Sequence, residues 1–251
     1  MTQFAAAPDG IRIAYDDLGQ GLPVVLIHGF GASRAQNWKA PGWYDTLLDA
    51  GFRVVAPDCR GHGESGKPHD VAAYDEGKMT GDVVTVMKAA GLSAAFLMGY
   101  SMGGYMTLRL LNDHPRLFPR AVVAGVGDVY FRRSMEWRVM IADAILAPPD
   151  AGLKTVEERL FQAFANQPGK DPAALSACMR SPRHPLPRET LAAIKTPALV
   201  VCGGEDRVSG PPGPLAEALG HARAVTVPGR DHMLTVGDKV YKKAVLEFFA
   251  E

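Results

Sequence analysis

Short apolar runs rich in β-branched residues recur along the chain, each bounded by turn-forming residues. They are IRIAY (11–15), PVVLI (23–27), FRVVA (52–56), AAFLM (94–98), RAVVA (120–124), PALVVC (197–202) and RAVTV (223–227). Several are continuously apolar rather than alternating, the pattern of strands covered on both faces, as in a parallel sheet. A further short strand is expected at residues 2–6, with Pro8-Asp9-Gly10 as a hairpin turn. Helical periodicity fills most of the gaps. DVVTVMKAA (82–90) stops at Gly91, and residues 102–112 stop before Asp113-His114-Pro115, where proline bars continuation. The last helix, about 237–250, carries Val240, Ala244, Val245 and Phe248 on one face. Strands alternating with helices in this way predict an α/β sheet with right-handed crossovers.

One stretch breaks the rhythm. Residues 128–190 hold no convincing strand but three helical segments, near 134–146, 155–166 and 172–180, and then the proline-studded SPRHPLP (181–187). The reading is a core of residues 1–127 and 191–251, with 128–190 inserted between two strands as a helical cap or lid. An elaborated crossover without a lid role is the alternative.

Composition narrows the class. The chain has 251 residues, 47% hydrophobic and 22% charged, which suits one soluble globular α/β unit. Lys plus Arg and Asp plus Glu both number 27, so no basic excess argues for nucleic acid or an anionic membrane surface. The start, MTQFAAAPDG, lacks the basic and apolar regions of a signal peptide, and no stretch reaches about 18 apolar residues, so no membrane span is expected. Cys59, Cys178 and Cys202, odd in number and without metal-ligand spacing, read as free thiols in a reducing, cytoplasmic compartment. No metal or cofactor is expected. The oligomeric expectation is a monomer or small homo-oligomer.

The chemistry begins at MGYSMGGYM (98–106), between an expected strand and an expected helix. Reactive groups in open parallel sheets collect beyond the carboxyl ends of the strands. A turn this tight needs small residues two before and two after the serine, and Gly99 and Gly103 stand there around Ser101. That is a G-x-S-x-G elbow, which holds its serine strained and exposed. A serine hydroxyl needs a base. Of seven histidines, His69, His184 and His221 sit in polar loop contexts, His114 ends a helix, and His28 and His62 belong to glycine-rich turns. His232 remains, on a loop between the last strand and the last helix. The base needs an orienting carboxylate. Asp206, straight after PALVVC, is favoured over Glu205 and Asp128, and Asp231 is too close in sequence to His232. The order Ser101, Asp206, His232 is that expected with this elbow. Donors for an oxyanion are expected from the backbone amides of Met102 and of Phe30, in the turn after PVVLI.

Taken together, HGFG (28–31), DCRGHGES (58–65), GYSMGG (99–104), GGED (203–206) and GRDH (229–232) strongly resemble the α/β-hydrolase superfamily, spanning most of the chain in the family's order. The resemblance implies the α/β-hydrolase fold: a mostly parallel eight-stranded sheet, helices on both faces and a helical cap after the sixth strand. It implies a nucleophile–acid–histidine triad, no cofactor, and scaffold roles for Asp58, Arg60, His62 and Ser65. Cys59 departs from the bulky apolar residue usual there. Members that open epoxides or remove halides carry aspartate at the elbow, and Ser101 argues against both.

The expected activity is serine-type hydrolysis of a small carboxylic ester, lactone or thioester through an acyl-enzyme, carboxylesterase-like, with a small-molecule substrate as the partner. Carbon–carbon bond hydrolysis or peracid formation on the same triad, and a low-turnover ligand-binding signalling protein, are the alternatives. Within the insertion, Tyr130, Phe131, Met135, Trp137, Met140, Phe161, Phe164 and Met179 read mostly as packing core rather than pocket lining. Arg132, Arg133 and Arg138 read as a solvated basic face, with holding a substrate carboxylate as the rival.

Overall fold

In a computed structural model covering residues 1–251, the chain forms eight strands: β1 (Gln3–Ala6), β2 (Arg12–Leu18), β3 (Pro23–Ile27), β4 (Arg53–Pro57), β5 (Phe96–Tyr100), β6 (Ala121–Ala124), β7 (Ala198–Gly203) and β8 (Ala222–Val227). Nine α-helices join them: α1 (Trp43–Asp49), α2 (Glu76–Ala89), α3 (Met102–Asp113), α4 (Met135–Leu146), α5 (Val156–Ala165), α6 (Pro172–Arg180), α7 (Arg188–Ala193), α8 (Gly213–Leu219) and α9 (Lys239–Phe249). The strands make one sheet in the order β1-β2-β4-β3-β5-β6-β7-β8. β2 is antiparallel to both its neighbours, and from β4 through β8 every pairing is parallel. All strands but β2 therefore run the same way, and the carboxyl ends of β3 to β8 share one edge.

The continuous apolar runs have the cause expected of them. In β3, Val25 and Ile27 face a core shared with Leu97, Val123 and Val200, covered by α2, α3 and α8. Val24 and Leu26 face the opposite core with Met98, Val122 and Val201, under Trp43 and Leu47 of α1 and Tyr241 and Val245 of α9. Each such side chain, fully buried, contributes about 1.5–3 kcal/mol. No helix is long and apolar enough to cross a membrane.

Some boundaries differ from the sequence expectation. β2 continues to Leu18 through two aspartates, because Asp17 receives the Arg53 guanidinium at 2.7 and 2.8 Å and Asp16 accepts from the Tyr44 hydroxyl at 2.9 Å. α2 starts at Glu76, ahead of its apolar stretch, because the Asp75 carboxylate caps it by accepting from the Gly77 amide at 2.9 Å. β5 is displaced toward the serine. Its register, Val24↔Phe96 to Ile27↔Gly99, carries the strand up to Tyr100.

Helices α4, α5 and α6 lie between β6 and β7, where the insertion was expected. Ser134, Thr155 and Asp171 cap their N-termini, Thr155 in a reciprocal box with Glu158. Such a cap contributes about 1 kcal/mol. Ile141, Ala142, Ile145, Ala165, Leu175 and Met179 form a small core among the three helices, separate from the two cores of the sheet.

Candidate active site

Ser101 follows β5 directly and has φ 52° and ψ −111°; it is the one non-glycine residue with positive φ. Such a conformation costs about 1–3 kcal/mol and persists only where its surroundings enforce it. A side chain at Gly99 would collide with the Gly103 carbonyl and the Thr107 hydroxyl, and one at Gly103 with the Ile27 carbonyl. Closure of the turn is completed by the Ser101 amide donating to the Ala124 carbonyl at 2.8 Å. The serine lines a cavity of about 370 Å³ together with His232, Phe30 and Met102.

His232 and Asp206 are in direct contact, Nδ1 to Oδ2 at 2.8 Å. Burial works to raise the Asp206 pKa, but the hydrogen bond and charge of His232 and the donors of Ser209 prevail and hold it below its usual value. An ionised carboxylate can only accept, so the imidazole proton sits on Nδ1 and the Nε2 lone pair is left free. The rivals do not reach His232 through a hydrogen bond. Asp128 is ion-paired to Arg132 at 2.8 Å, Asp231 accepts from the Met233 and Leu234 amides, and Glu205 is exposed.

Two contributors escaped the sequence reading. The Ser209 hydroxyl donates to Asp206 Oδ2 at 2.6 Å and lies 3.0 Å from His232 Nδ1, while the Ser209 and Val208 amides both donate to Asp206 Oδ1 at 2.9 Å. The spacing D-x-x-S after a strand is a signal that could have been weighed. The Tyr100 hydroxyl donates to the His232 carbonyl at 2.5 Å, a contact that nothing in the sequence suggests.

The HGFG turn is held from beneath. His28 Nδ1 donates to the Gly29 carbonyl at 2.7 Å, and its Nε2 accepts from the Cys59 amide at 2.9 Å. Burial pushes the His28 pKa down to about 4, so the ring is neutral. The Gly29 amide donates to the Asn37 side chain at 2.9 Å. The Phe30 amide has no backbone acceptor, and Met102 opens α3, where the first N–H groups of a helix lack intrahelical partners. Gly31, at φ 68°, has the Phe164 ring of α5 packed against it.

The DCRGHGES segment ties loops together. Asp58 accepts from the amides of Arg34 (2.7 Å) and Glu64 (2.8 Å) and pairs with the Arg34 guanidinium. Arg60 spans Asp82, through two bonds of 2.7 Å, and Asp9 at 2.7 Å. Ser65 links the Ala14 amide to the Asp58 carbonyl. Buried His62 leans on the Arg60 carbonyl at 2.9 Å.

The insertion contributes more to the cavity than expected. Met135, Trp137, Phe161, Phe164 and Met179 line it, whereas Tyr130, Phe131 and Met140 do not. The basic-face reading holds only for Arg132, which is exposed and paired with Asp128. Arg133 and Arg138 line the cavity. Arg138 precedes Ile141, Ala142 and Ile145 at helical spacing, so it shares the buried stripe of α4.

The sheet topology and this edge of loops define an α/β hydrolase. A family model described as alpha/beta hydrolase fold matches residues 23–189, more than half of the chain, and the chain belongs to that family. Among curated relatives, the chain is 28% identical over 230 residues to the AB hydrolase superfamily protein YisY of Bacillus subtilis, covering 83% of each. It is 38% identical over 104 residues, 41% of this chain, to a putative non-heme chloroperoxidase of Synechocystis. The chain spans only 36% of that protein's length, and 19%, 32% and 30% of three other curated relatives. Among solved structures, a hydrolase from Pseudomonas aeruginosa matches with a TM-score of 0.76 and 26% identity, covering 100% of this chain and 98% of that one.

Proposed function

We propose that the protein is a serine hydrolase that cleaves a small carboxylic ester, lactone or thioester through an acyl-enzyme. The observation that carries this reading is the His232–Asp206 contact of 2.8 Å at the cavity that Ser101 lines from a strained turn. Ser101 attacks the carbonyl carbon while His232 Nε2 takes its proton, and Asp206 stabilises the imidazolium that forms. The tetrahedral oxyanion rests between the Phe30 and Met102 amides, where loss of one donor would cost about 3 kcal/mol. His232 then protonates the leaving alcohol, and water, deprotonated by the same ring, releases the acid. Helices α4 to α6 act as a cap that walls the cavity, with residues 128–190 as its extent. The three cysteines are buried and unpaired, which supports a reducing compartment such as the cytoplasm.

The test is a panel of esters varied in acyl chain and leaving group, run on wild type and Ser101→Ala together. Hydrolysis is expected to fall by several orders of magnitude in the variant. Equal rates in both would remove the scheme. The similarity to a non-heme chloroperoxidase supports a second reading, in which hydrogen peroxide instead of water attacks the acyl-enzyme and a peracid leaves. Peracid formed from acetate and hydrogen peroxide faster than ester is hydrolysed would favour it.

A further inference from the structure

The cavity in front of Ser101 carries arginines that no carboxylate of the chain touches. Glu76 is the single acid lining it, and it is taken by Arg109 at 2.8 Å. Arg133, Arg138 and Arg183 line the same space, and their hydrogen-bond partners are all neutral. Arg133 donates to the Val208 carbonyl at 2.7 Å and lies over the Trp137 ring at 4.0 Å. Arg138 donates to the Cys178 carbonyl at 3.0 Å, and its Nε is buried with no partner at all. Arg183 spends its donors on the Tyr74 carbonyl, the Ser181 hydroxyl and the Met79 sulfur. Glu157 and Asp206 act on Arg133 only from a distance: Glu157 accepts from the Trp137 indole at 3.1 Å and Asp206 from His232, and neither touches the guanidinium. Burial first, then the like charge of Arg183, pulls the Arg138 pKa down to about 10, which still leaves it cationic at neutral pH.

Arg133 and Arg138 are half-buried and without an acidic partner, a costly arrangement that a fold keeps where a partner arrives from outside. The contrast with Arg132 sharpens the point: on the outer side of the same segment, arginine is neutralised by Asp128. Tyr105 stands between the two problems. It lies one helical turn after the nucleophile, its amide donating to the Ser101 carbonyl at 3.1 Å, and its ring lines the cavity near Arg133 and Arg138. Burial raises the phenol pKa, so the hydroxyl keeps a proton to donate.

We propose that Arg138, Arg133 and the Tyr105 hydroxyl form a cradle for a carboxylate borne by the substrate, so that the natural ester carries a free acid group. The inference rests on the reading of Ser101 as nucleophile and deepens it to a substrate class: half-esters of dicarboxylic acids, or their lactone equivalents. Planar guanidinium groups bind planar carboxylates with paired, charge-assisted bonds, and the apolar lining from Trp137, Phe161 and Met179 would cover the carbon chain between the two acyl ends.

The experiment compares monomethyl with dimethyl esters of succinate, glutarate and adipate, with O-acetylglycolate as the arm that puts the carboxylate on the leaving group. Wild type is expected to favour an anionic ester in kcat/KM, and the anionic-to-neutral ratio to fall about 30-fold in Arg138→Gln and in Arg133→Gln. Arg138→Lys, which keeps the charge, should recover part of it. In parallel, calorimetry on Ser101→Ala measures binding of monomethyl glutarate, which Arg138→Gln added to that protein should abolish. Anion-selective binding that depends on Arg138 supports the cradle even if no ester is turned over, in which case it is the nucleophile reading that fails. Equal handling of charged and neutral esters, together with binding indifferent to both arginine substitutions, overturns the cradle.

Discussion

Acid should loosen this protein through two histidines that lie outside the Ser101 cavity. His28 lies fully buried beneath the HGFG turn, and protonating it would set its new Nε2 hydrogen against the Cys59 amide hydrogen. Burial lowers its pKa from 6.5 to about 4. His62, with its ring centroid 5.2 Å away, is lowered from 6.5 to about 3 by burial and by the neighbouring His28. The unfolded chain takes up these protons near pH 6.5 and the folded chain does not. Their contribution is therefore complete above pH 6.5 and lost as pH falls from 6.5 toward 4 for His28 and toward 3 for His62. At about 1.4 kcal/mol per decade of proton affinity, His28 alone accounts for about 2 kcal/mol lost by pH 5 and about 3 kcal/mol by pH 4. That is a large share of a typical stability of about 5–15 kcal/mol. Carboxylates held low by partners, such as Asp206 and Asp9, give up their contributions only below their ordinary value of 3.8, so between pH 6.5 and about 4 the loss belongs to the histidines. Urea unfolding at pH 7.5 and pH 5 measures the effect. The wild-type midpoint should drop clearly, whereas a His28→Gln, His62→Asn double variant, weaker at pH 7.5, should lose most of the difference. A wild-type change under about 0.5 kcal/mol, or ring resonances that titrate above pH 6, would refute the reasoning.

Ser209→Ala removes one donor from Asp206 and leaves the amides in place, so kcat should fall about 10- to 100-fold with KM little changed, in keeping with one hydrogen bond to a charged group. A change within twofold would reduce Ser209 to packing. Gly103→Ala sets a methyl group against the Ile27 carbonyl, and overpacking of this kind costs about 1–3 kcal/mol or more. Thermal melting should therefore show a drop of several degrees, and an unchanged melt would mean that the elbow can open without penalty.

Much of this was legible in advance because the signals are local. A strand buried on both faces must be apolar throughout, and a strained serine turn must have glycines two positions to either side. Both rules act within a few residues, so β3, β5 and the elbow can be read from spelling alone. The miss at β2 has the opposite origin: Asp16 and Asp17 are strand residues only because Tyr44 and Arg53 arrive from elsewhere to satisfy them. Helices α1, α7 and α8 are short and framed by glycine and proline, so periodicity had too few turns to register. The arginines show the limit best. Arg132 and Arg133 are neighbours in sequence, yet one faces water and pairs with Asp128 while the other lines the cavity and reaches the Val208 carbonyl of a distant loop. Arg138 could have been placed, since it continues the buried stripe of its helix.

The tether from Tyr100 to the His232 carbonyl crosses 132 positions of sequence with one short bond. Tyr100 is also the residue immediately before Ser101, so the loop bearing the imidazole is indexed to the strand that leads into Ser101 rather than to the C-terminal segment that carries it. Slippage of that segment would have to break this bond before His232 could shift relative to Ser101. The Asp206–His232 pair is thus referenced to the middle of the sheet and not to the chain end that follows it.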